Sequence, residues 1–335
     1  MTIDPTNPNP QTTATEPITE DRMSTQPTTA VTIAERLHAG EPYVLAFGGQ
    51  ATPWRATLEE LAGLDHDLAN ELVAIDAAVA DRLAPVATDL LTVTPRGGRF
   101  FTDAGAPVAP APQGGAADTA DVSVPGILFA QHAALACLPG SGIDPVGEHV
   151  PGAVIGHSQG VLGVALLEAL RTSRQEGADG HGESVVQVHA IARLIGAAAA
   201  RTTGRLNLGT VGETTPMLSV RGVTRNVLDG VLAQVPGAER IAVGVVNGRQ
   251  AHILSGRPGD LEQVITALQA AARRSERDRK ERRRGGAVLN PITEFLATSV
   301  PFHTPLLAAA VDDVVAWAGR TGLDATWPGI WPWPC

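Results

Sequence analysis

The residues with the clearest chemical potential are Gly156-His157-Ser158-Gln159-Gly160. They stand between the small apolar segment Ala153-Val154-Ile155 and the helix-forming run 161–170. Gly-x-Ser-x-Gly between a strand and a helix is the pattern of a nucleophile elbow, a tight turn that leaves the serine hydroxyl exposed. Gly156 and Gly160 permit the strained turn and the close strand–helix approach that an elbow requires. Ser158 would then stand at a helix N-terminus, where amide groups and the macrodipole favour developing negative charge. The alternative for the same residues is a glycine-rich turn with a capping serine, since the chain holds 36 glycines.

A serine hydroxyl is a weak nucleophile at neutral pH and needs a base. Among the nine histidines, His38, His66, His149 and His181 lie in polar or loop surroundings and read as surface residues. His132 and His189 fall in apolar helical runs and read as core histidines, and His252 falls in a strand. His157 adjoins Ser158, but successive side chains on an elbow diverge, which makes it a poor base for its neighbour. His303 lies between two prolines in "SVPFHTPLL", on a rigid loop late in the chain. That is a suitable place for the base of a serine site.

These groups need a scaffold. Residues 43–47 form a short apolar run broken by Gly48-Gly49, which reads as a buried strand and a turn. Residues 57–86 show helical spacing up to a proline. Residues 104–121 read as a surface loop, followed by a helix with Pro125 in its first turn. A further helix is expected at about 185–203, after a polar loop at 174–184. From about residue 215 the order becomes β-α-β-β-α-β: "PMLSV", "RNVLDGVLAQV", "IAVGVVNG", "AHILSG", "GDLEQVITALQAAARR", and a last strand in "GAVLN" or "FLATSV". That is the ferredoxin-like pattern.

The expected architecture is therefore α/β. It consists of an α/β-hydrolase-like parallel-sheet core at 36–213 and 291–335, an inserted ferredoxin-like subdomain at 214–290, and a disordered leader at 1–35. The leader is rich in Pro, Thr and Asn and too poor in apolar residues to offset its ordering entropy.

The net charge of −10 and pI near 5.4 argue against nucleic acid as a general partner. Two cysteines make neither a disulfide framework nor a metal spacing, no run reads as a membrane span, and no signal peptide is evident. A cytoplasmic protein without metal, membrane or nucleic-acid partner is expected. Residues 273–284 carry eight basic and three acidic side chains. They read as a solvated helix end, or alternatively as a docking patch for an acidic partner. Three of the five tryptophans lie in the last nine residues, "WPGIWPWPC". They read as a fragment edge, as a segment that packs on a continuation, or as a frame-altered tail.

"GHSQG" followed by "VPFHTPLL" resembles the paired motifs of the acyl-CoA:acyl carrier protein acyltransferase family. "FGGQ", "GILFAQHAALA", "PMLSV" and "VNGRQAHILSG" agree with it in order and spacing over about residues 40–315. Within the family the chain is most similar to the acetyltransferase domain of fungal-like type I fatty acid synthases. The resemblance implies Ser158 as nucleophile and His303 as base, with no acidic third member. It implies backbone N–H groups of Gln159 and Gln50 as the oxyanion hole, and Ile195, His157 and Asn247 at the acyl pocket. Asn247 reads equally as a turn residue between two strands.

No bound cofactor is implied: acetyl-CoA would be the donor, and phosphopantetheine on an acyl carrier protein the acceptor. Other synthase domains of a large homo-oligomeric megasynthase would be partners. Malonyl-specific members carry an arginine for the free carboxylate on the helix after the elbow, where this chain has Ile195. An isoleucine would leave that carboxylate unpaired, so acetyl or another short unsubstituted acyl group is expected. A different register would bring in Arg193 or Arg201 and restore malonyl. The alternatives are a malonyl/palmitoyl transferase, a serine thioesterase or esterase, and a non-catalytic fragment of a synthase.

Overall fold

The computed structural model describes residues 32–50, 52–91, 99–102, 118–177, 182–211, 214–282 and 289–323. Strand β1 (Val44–Phe47) pairs in parallel with β2 (Ala153–Gly156), from Val44↔Ala153 to Phe47↔Gly156. Helix α6 (Gly160–Gln175) follows β2 and packs on both strands. It comes close because two of its residues lack side chains. A Cβ on Gly160 would overlap the Phe47 carbonyl oxygen, and one on Gly163 would lie 2.5 Å from the Phe47 ring. The other face of the pair, with Val44 and Ile155, is exposed. Among the described residues the parallel sheet has these two strands.

Helices fill the rest of this part: α1 (Ile33–His38), α2 (Trp54–Leu64), α3 (His66–Arg82), α4 (Ala87–Leu91), α5 (Ala120–Cys137), α7 (Glu183–Arg205) and α10 (Ala308–Thr321). Their core is built mainly from Leu, Val and Ala, with Leu128, Leu166, Leu194 and Ala198 fully covered. Small residues set the spacing. A Cβ on Gly126 would meet the Trp54 ring at 2.7 Å, and one on Gly196 the Ala120 carbonyl oxygen at 2.5 Å. By length and composition the stretch Ala120–Ser141 is apolar enough to cross a membrane, but most of α5 within it is buried inside the protein. It is the central core helix.

Three local expectations are corrected. The composition predicts a leader through residue 35, yet α1 begins at Ile33 on a capping box. The Thr32 hydroxyl accepts from the Glu35 N–H, and the Glu35 carboxylate accepts from the Thr32 N–H. Residues 1–31 lie outside the described residues, as do the C-terminal residues 324–335. The helical run from residue 57 is split at Asp65, whose carboxylate caps α3 by accepting the N–H groups of Asp67 and Leu68. Pro125 lies inside α5 rather than in its first turn, where it removes one intrahelical hydrogen bond.

Buried polar groups tie the helices together. Asp76, fully covered, accepts the N–H groups of Phe100 and Phe101 at 2.8 and 3.0 Å. It also pairs with Arg193 on α7 and with Arg99, each at 3.4 Å. Nearby, His132 Nδ1 and His189 Nε2 meet at 3.1 Å across the α5–α7 seam, with His189 stacked on Phe129.

A second apolar core belongs to β3 (Met217–Arg221), α8 (Arg225–Leu232), β4 (Ala242–Gly248), β5 (Ala251–Ser255), α9 (Pro258–Arg282) and β6 (Ile292–Phe295). The strands form an antiparallel sheet of order β4-β5-β3-β6. Leu218, Val220 and Leu254 pack with Leu228 of α8 and with Leu261 and Val264 of α9 in that core. The expected element order is present, but the last strand is neither apolar segment named from the sequence. It is Ile-Thr-Glu-Phe, which ends on the Phe295 that opens "FLATSV", paired with β3 from Leu218↔Phe295 to Arg221↔Ile292. The sheet therefore extends past the expected boundary at residue 290. Within the arginine-rich stretch, Arg273, Arg274, Arg277, Arg279 and Lys280 lie exposed on the end of α9.

Burial, then the neighbouring His132 and Arg193, hold His189 well below the ordinary imidazole value of 6.5. The folded protein therefore refuses a proton that the unfolded chain accepts below about pH 6.5, and stability is lost as pH falls from there. The limiting slope is about 1.4 kcal/mol per pH unit for one such group. His189→Leu is expected to flatten the fall in melting temperature between about pH 7 and pH 5, read by circular dichroism.

Candidate active site

The elbow is built from backbone contacts that exclude side chains. His157 N–H donates to the Phe47 carbonyl at 3.3 Å as β2 ends, and Gly160 N–H turns back to the His157 carbonyl at 2.8 Å. A Cβ on Gly156 would overlap the Gly160 carbonyl, so strand and helix can meet this closely only at glycine. Ser158 is left with φ of 55°, in the left-handed region. A non-glycine residue costs of order 1–3 kcal/mol there and persists where its surroundings over-determine it.

The loop after β1 lies against this turn. A Cβ on Gly49 would stand 2.9 Å from the His157 carbonyl oxygen and 3.2 Å from the Ser158 Cβ. Gln131 Nε2 donates to the Gly48 carbonyl at 2.9 Å, and the Thr52 hydroxyl to the Gly49 carbonyl at 2.6 Å. Gln50 and Gln159 are joined directly, Gln50 Nε2 donating to Gln159 Oε1. Ser123 Oγ donates to Gln50 Oε1 at 3.2 Å, and Gln159 Nε2 to the Val124 carbonyl at 2.7 Å. A ladder of side-chain amides thus fixes both glutamines to α5.

His303 reaches Ser158 from a distant part of the chain. Its Nε2 lies 2.7 Å from Ser158 Oγ. It too has a positive φ, 58°. The loop that carries it is braced from the antiparallel sheet: Ser255 Oγ on β5 donates to the Phe302 carbonyl at 2.6 Å. A Cβ on Gly244 of β4 would stand 2.7 Å from the His303 carbonyl oxygen. After it, the Thr304 hydroxyl accepts the Leu306 N–H at 3.3 Å and caps a short 3-10 turn, Pro305–Leu307. Burial, and secondarily the neighbouring His157, lower the His303 pKa from 6.5. A neutral imidazole at hydrogen-bond distance from a serine hydroxyl can take its proton, which is what a nucleophilic serine requires.

The structure thus brings together Ser158, Gln159, Gln50, His303 and His157, the last exposed beside the pair. Ile195 lies half-buried on α7, packed against the main core. Asn247 lies exposed near the end of β4, three residues beyond the strand's contact with His303. Sequence reasoning missed Gly244 and Ser255. For Gly244 a signal existed, since a lone glycine inside a strand pattern marks a bulge or close backbone approach. Among the described residues no group of three His, Cys, Asp or Glu side chains is placed to hold a metal.

With His303 acting as the base, the reactivity of Ser158 rises with pH through a midpoint below 6.5. His157→Ala removes the neighbouring imidazole that helps to lower the His303 pKa and is expected to move that midpoint upward. The rate of modification by a fluorophosphonate, followed across pH by intact mass, measures it. An unmoved midpoint would show that His157 does not act on His303.

Residues 216–295 match a family model described as the fatty acid synthase central AT domain. The fatty acid synthase beta subunit aflB of Emericella nidulans is 36% identical over 100 residues, 28% of this chain. The match spans 5% of that subunit's length. The malonyl-CoA:acyl carrier protein transacylase structure from Xanthomonas oryzae pv. oryzae is 18% identical, with 84% of this chain and 69% of that chain covered and a TM-score of 0.51. The MCAT structure from Mycobacterium tuberculosis is also 18% identical, with 83% and 70% covered and a TM-score of 0.48. At 18% identity the Xanthomonas likeness is one of fold, a mixed α/β architecture. By sequence the likeness to fatty acid synthase acyltransferase domains covers residues 216–295, and beyond them the likeness is one of fold.

Proposed function

We propose that this protein transfers an acetyl starter group from acetyl-CoA, through an ester on Ser158, to the phosphopantetheine thiol of an acyl carrier protein in fatty acid synthesis. The observation that carries the reading is the 2.7 Å contact between Ser158 Oγ and His303 Nε2, with the serine on a left-handed turn at the start of α6. Ser158 Oγ attacks the thioester carbonyl carbon while His303 Nε2 takes its proton. The carbonyl oxygen becomes negative and is met by the backbone N–H groups of Gln159 and Gln50. Collapse breaks the carbon–sulfur bond, and His303 returns the proton to the CoA thiolate. In the second half-reaction His303 takes the phosphopantetheine thiol proton, the sulfur attacks the acyl-serine carbonyl, and the proton returns to Ser158 as the ester bond breaks. Acyltransferase domains of this type need no cofactor, and phosphopantetheine is carried on the acyl carrier protein.

The acetyl preference rests on α7. Ile195 offers a carboxylate nothing to pair with, and the two arginines that an altered register would supply have other partners. Arg193 is buried against Asp76, and Arg201 lies 3.6 Å from Asp313 with its guanidinium over the Trp317 ring. A malonyl group would therefore be buried with an unpaired charge. In the same reading the first part is an α/β-hydrolase-like core and the antiparallel unit a ferredoxin-like subdomain inserted in it. The partners are acyl-CoA, the carrier protein and other domains of a cytoplasmic megasynthase.

Intact mass after incubation with acetyl-CoA is expected to show one acetyl adduct, absent in Ser158→Ala. An equal adduct on the alanine variant would overturn the nucleophile assignment, and label passing to water rather than to carrier protein would identify a thioesterase. Malonyl-CoA is expected to load at least about tenfold more slowly than acetyl-CoA, the order of effect of one missing charge-assisted pair. Ile195→Arg is expected to narrow that ratio. Faster malonyl than acetyl loading in the parent protein would overturn the specificity.

A further inference from the structure

We propose that Gly244 and Ser255, on adjacent strands of the antiparallel sheet, are positioning residues that hold His303 in its left-handed conformation and so aim its imidazole at Ser158. The inference rests on His303 acting as the base for Ser158. A histidine gains nothing locally from a φ of 58°, and no glycine or proline at position 303 sets that angle. The conformation must be imposed from outside.

Two contacts impose it, one on each side of the His303 Cα. On the N-terminal side, the Ser255 hydroxyl donates to the Phe302 carbonyl at 2.6 Å, which fixes the peptide group entering His303. Ser255 is fully buried, so water does not compete for that carbonyl from its side. On the C-terminal side, the Gly244 backbone lies against His303 itself. A Cβ there would stand 2.7 Å from the His303 carbonyl oxygen, 3.0 Å from its Cβ and 3.2 Å from Ser255 Oγ.

The sheet supplies this close approach through an irregularity. The β4–β5 register runs Ala242↔Ser255 and Val243↔Leu254, then shifts, so that Val245 rather than Gly244 faces Ile253. Gly244 is the extra residue of a β-bulge, a device that bends a strand and re-aims what lies beside it. A flat strand or a larger residue at this position would push the histidine loop away. The serine is thus held by β1, β2 and α6, while its base is held by the bulged edge of the other sheet.

The test uses the purified full chain and a fluorophosphonate, which reports Ser158 activation without any assumption about the acyl donor. Labelling of the parent protein and none of Ser158→Ala establishes the serine. No labelling of the parent at any pH would overturn the base reading, and this inference with it. Ser255→Ala and Gly244→Ala are each expected to slow labelling about 10- to 100-fold, the scale of a misplacement near 1 Å. Both are also expected to raise the pH midpoint toward 6.5, because a loosened His303 regains solvent and moves away from His157, the titratable neighbour that depresses it. Thermal unfolding of each variant checks that the fold is retained. If the parent reacts and both variants react at its rate, the positioning role is overturned. Slower labelling with an unmoved midpoint also overturns it, since that pattern reports general destabilisation rather than a displaced imidazole.

Discussion

The hydrogen bond between Ser158 and His303 joins two residues that both occupy the left-handed region of backbone space. Magnitudes decide what holds them there. Each conformation costs of order 1–3 kcal/mol, whereas one intramolecular hydrogen bond returns a net of about 0.5–1.5 kcal/mol. The bond cannot sustain its own geometry. The surrounding packing sustains it, and much of the molecule can be understood as the means of doing so.

That packing relies on missing side chains. At Gly49, Gly156, Gly160 and Gly163 the β1 loop, β2 and α6 approach until a single methyl group would not fit. The same economy runs through the helical core, where Gly126 admits the Trp54 ring and Gly196 admits the start of α5. A composition of 36 glycines and only 4% aromatic residues therefore produces close backbone contact rather than looseness. Polar groups then lock the approach: the Gln50–Gln159 amide pair at the elbow, and Asp76 with its two N–H donors and two guanidinium groups deeper in the core.

The parts legible in the sequence were those with local causes. The apolar runs of β1 and β2 are bounded by glycines, the helix after Ser158 is periodic, and the β-α-β-β-α-β order alternates two clear periods. Ser158 and His303 could be paired because each lies in a distinctive motif. The illegible parts have causes distant in sequence. Strand β6 is weakly apolar and is a strand because β3 offers it an edge. Pro125 is tolerated inside α5 because tertiary packing outweighs one lost hydrogen bond. The positive φ of His303 leaves no trace in "VPFHTP", since the residues that impose it lie on β4 and β5.

Asp76 also constrains how this fold can change. It is the buried counter-ion of Arg193 and the acceptor that fixes the turn at Phe100 and Phe101. Recruiting Arg193 to a ligand carboxylate would leave Asp76 with Arg99, itself partly exposed, as its remaining cation. Removing one partner of a buried pair typically costs about 3–5 kcal/mol, a large part of a domain's total stability. In evolutionary terms Arg193 is committed to the core: its charge is tied to the turn at Phe100 and Phe101 through Asp76, and neither can change alone.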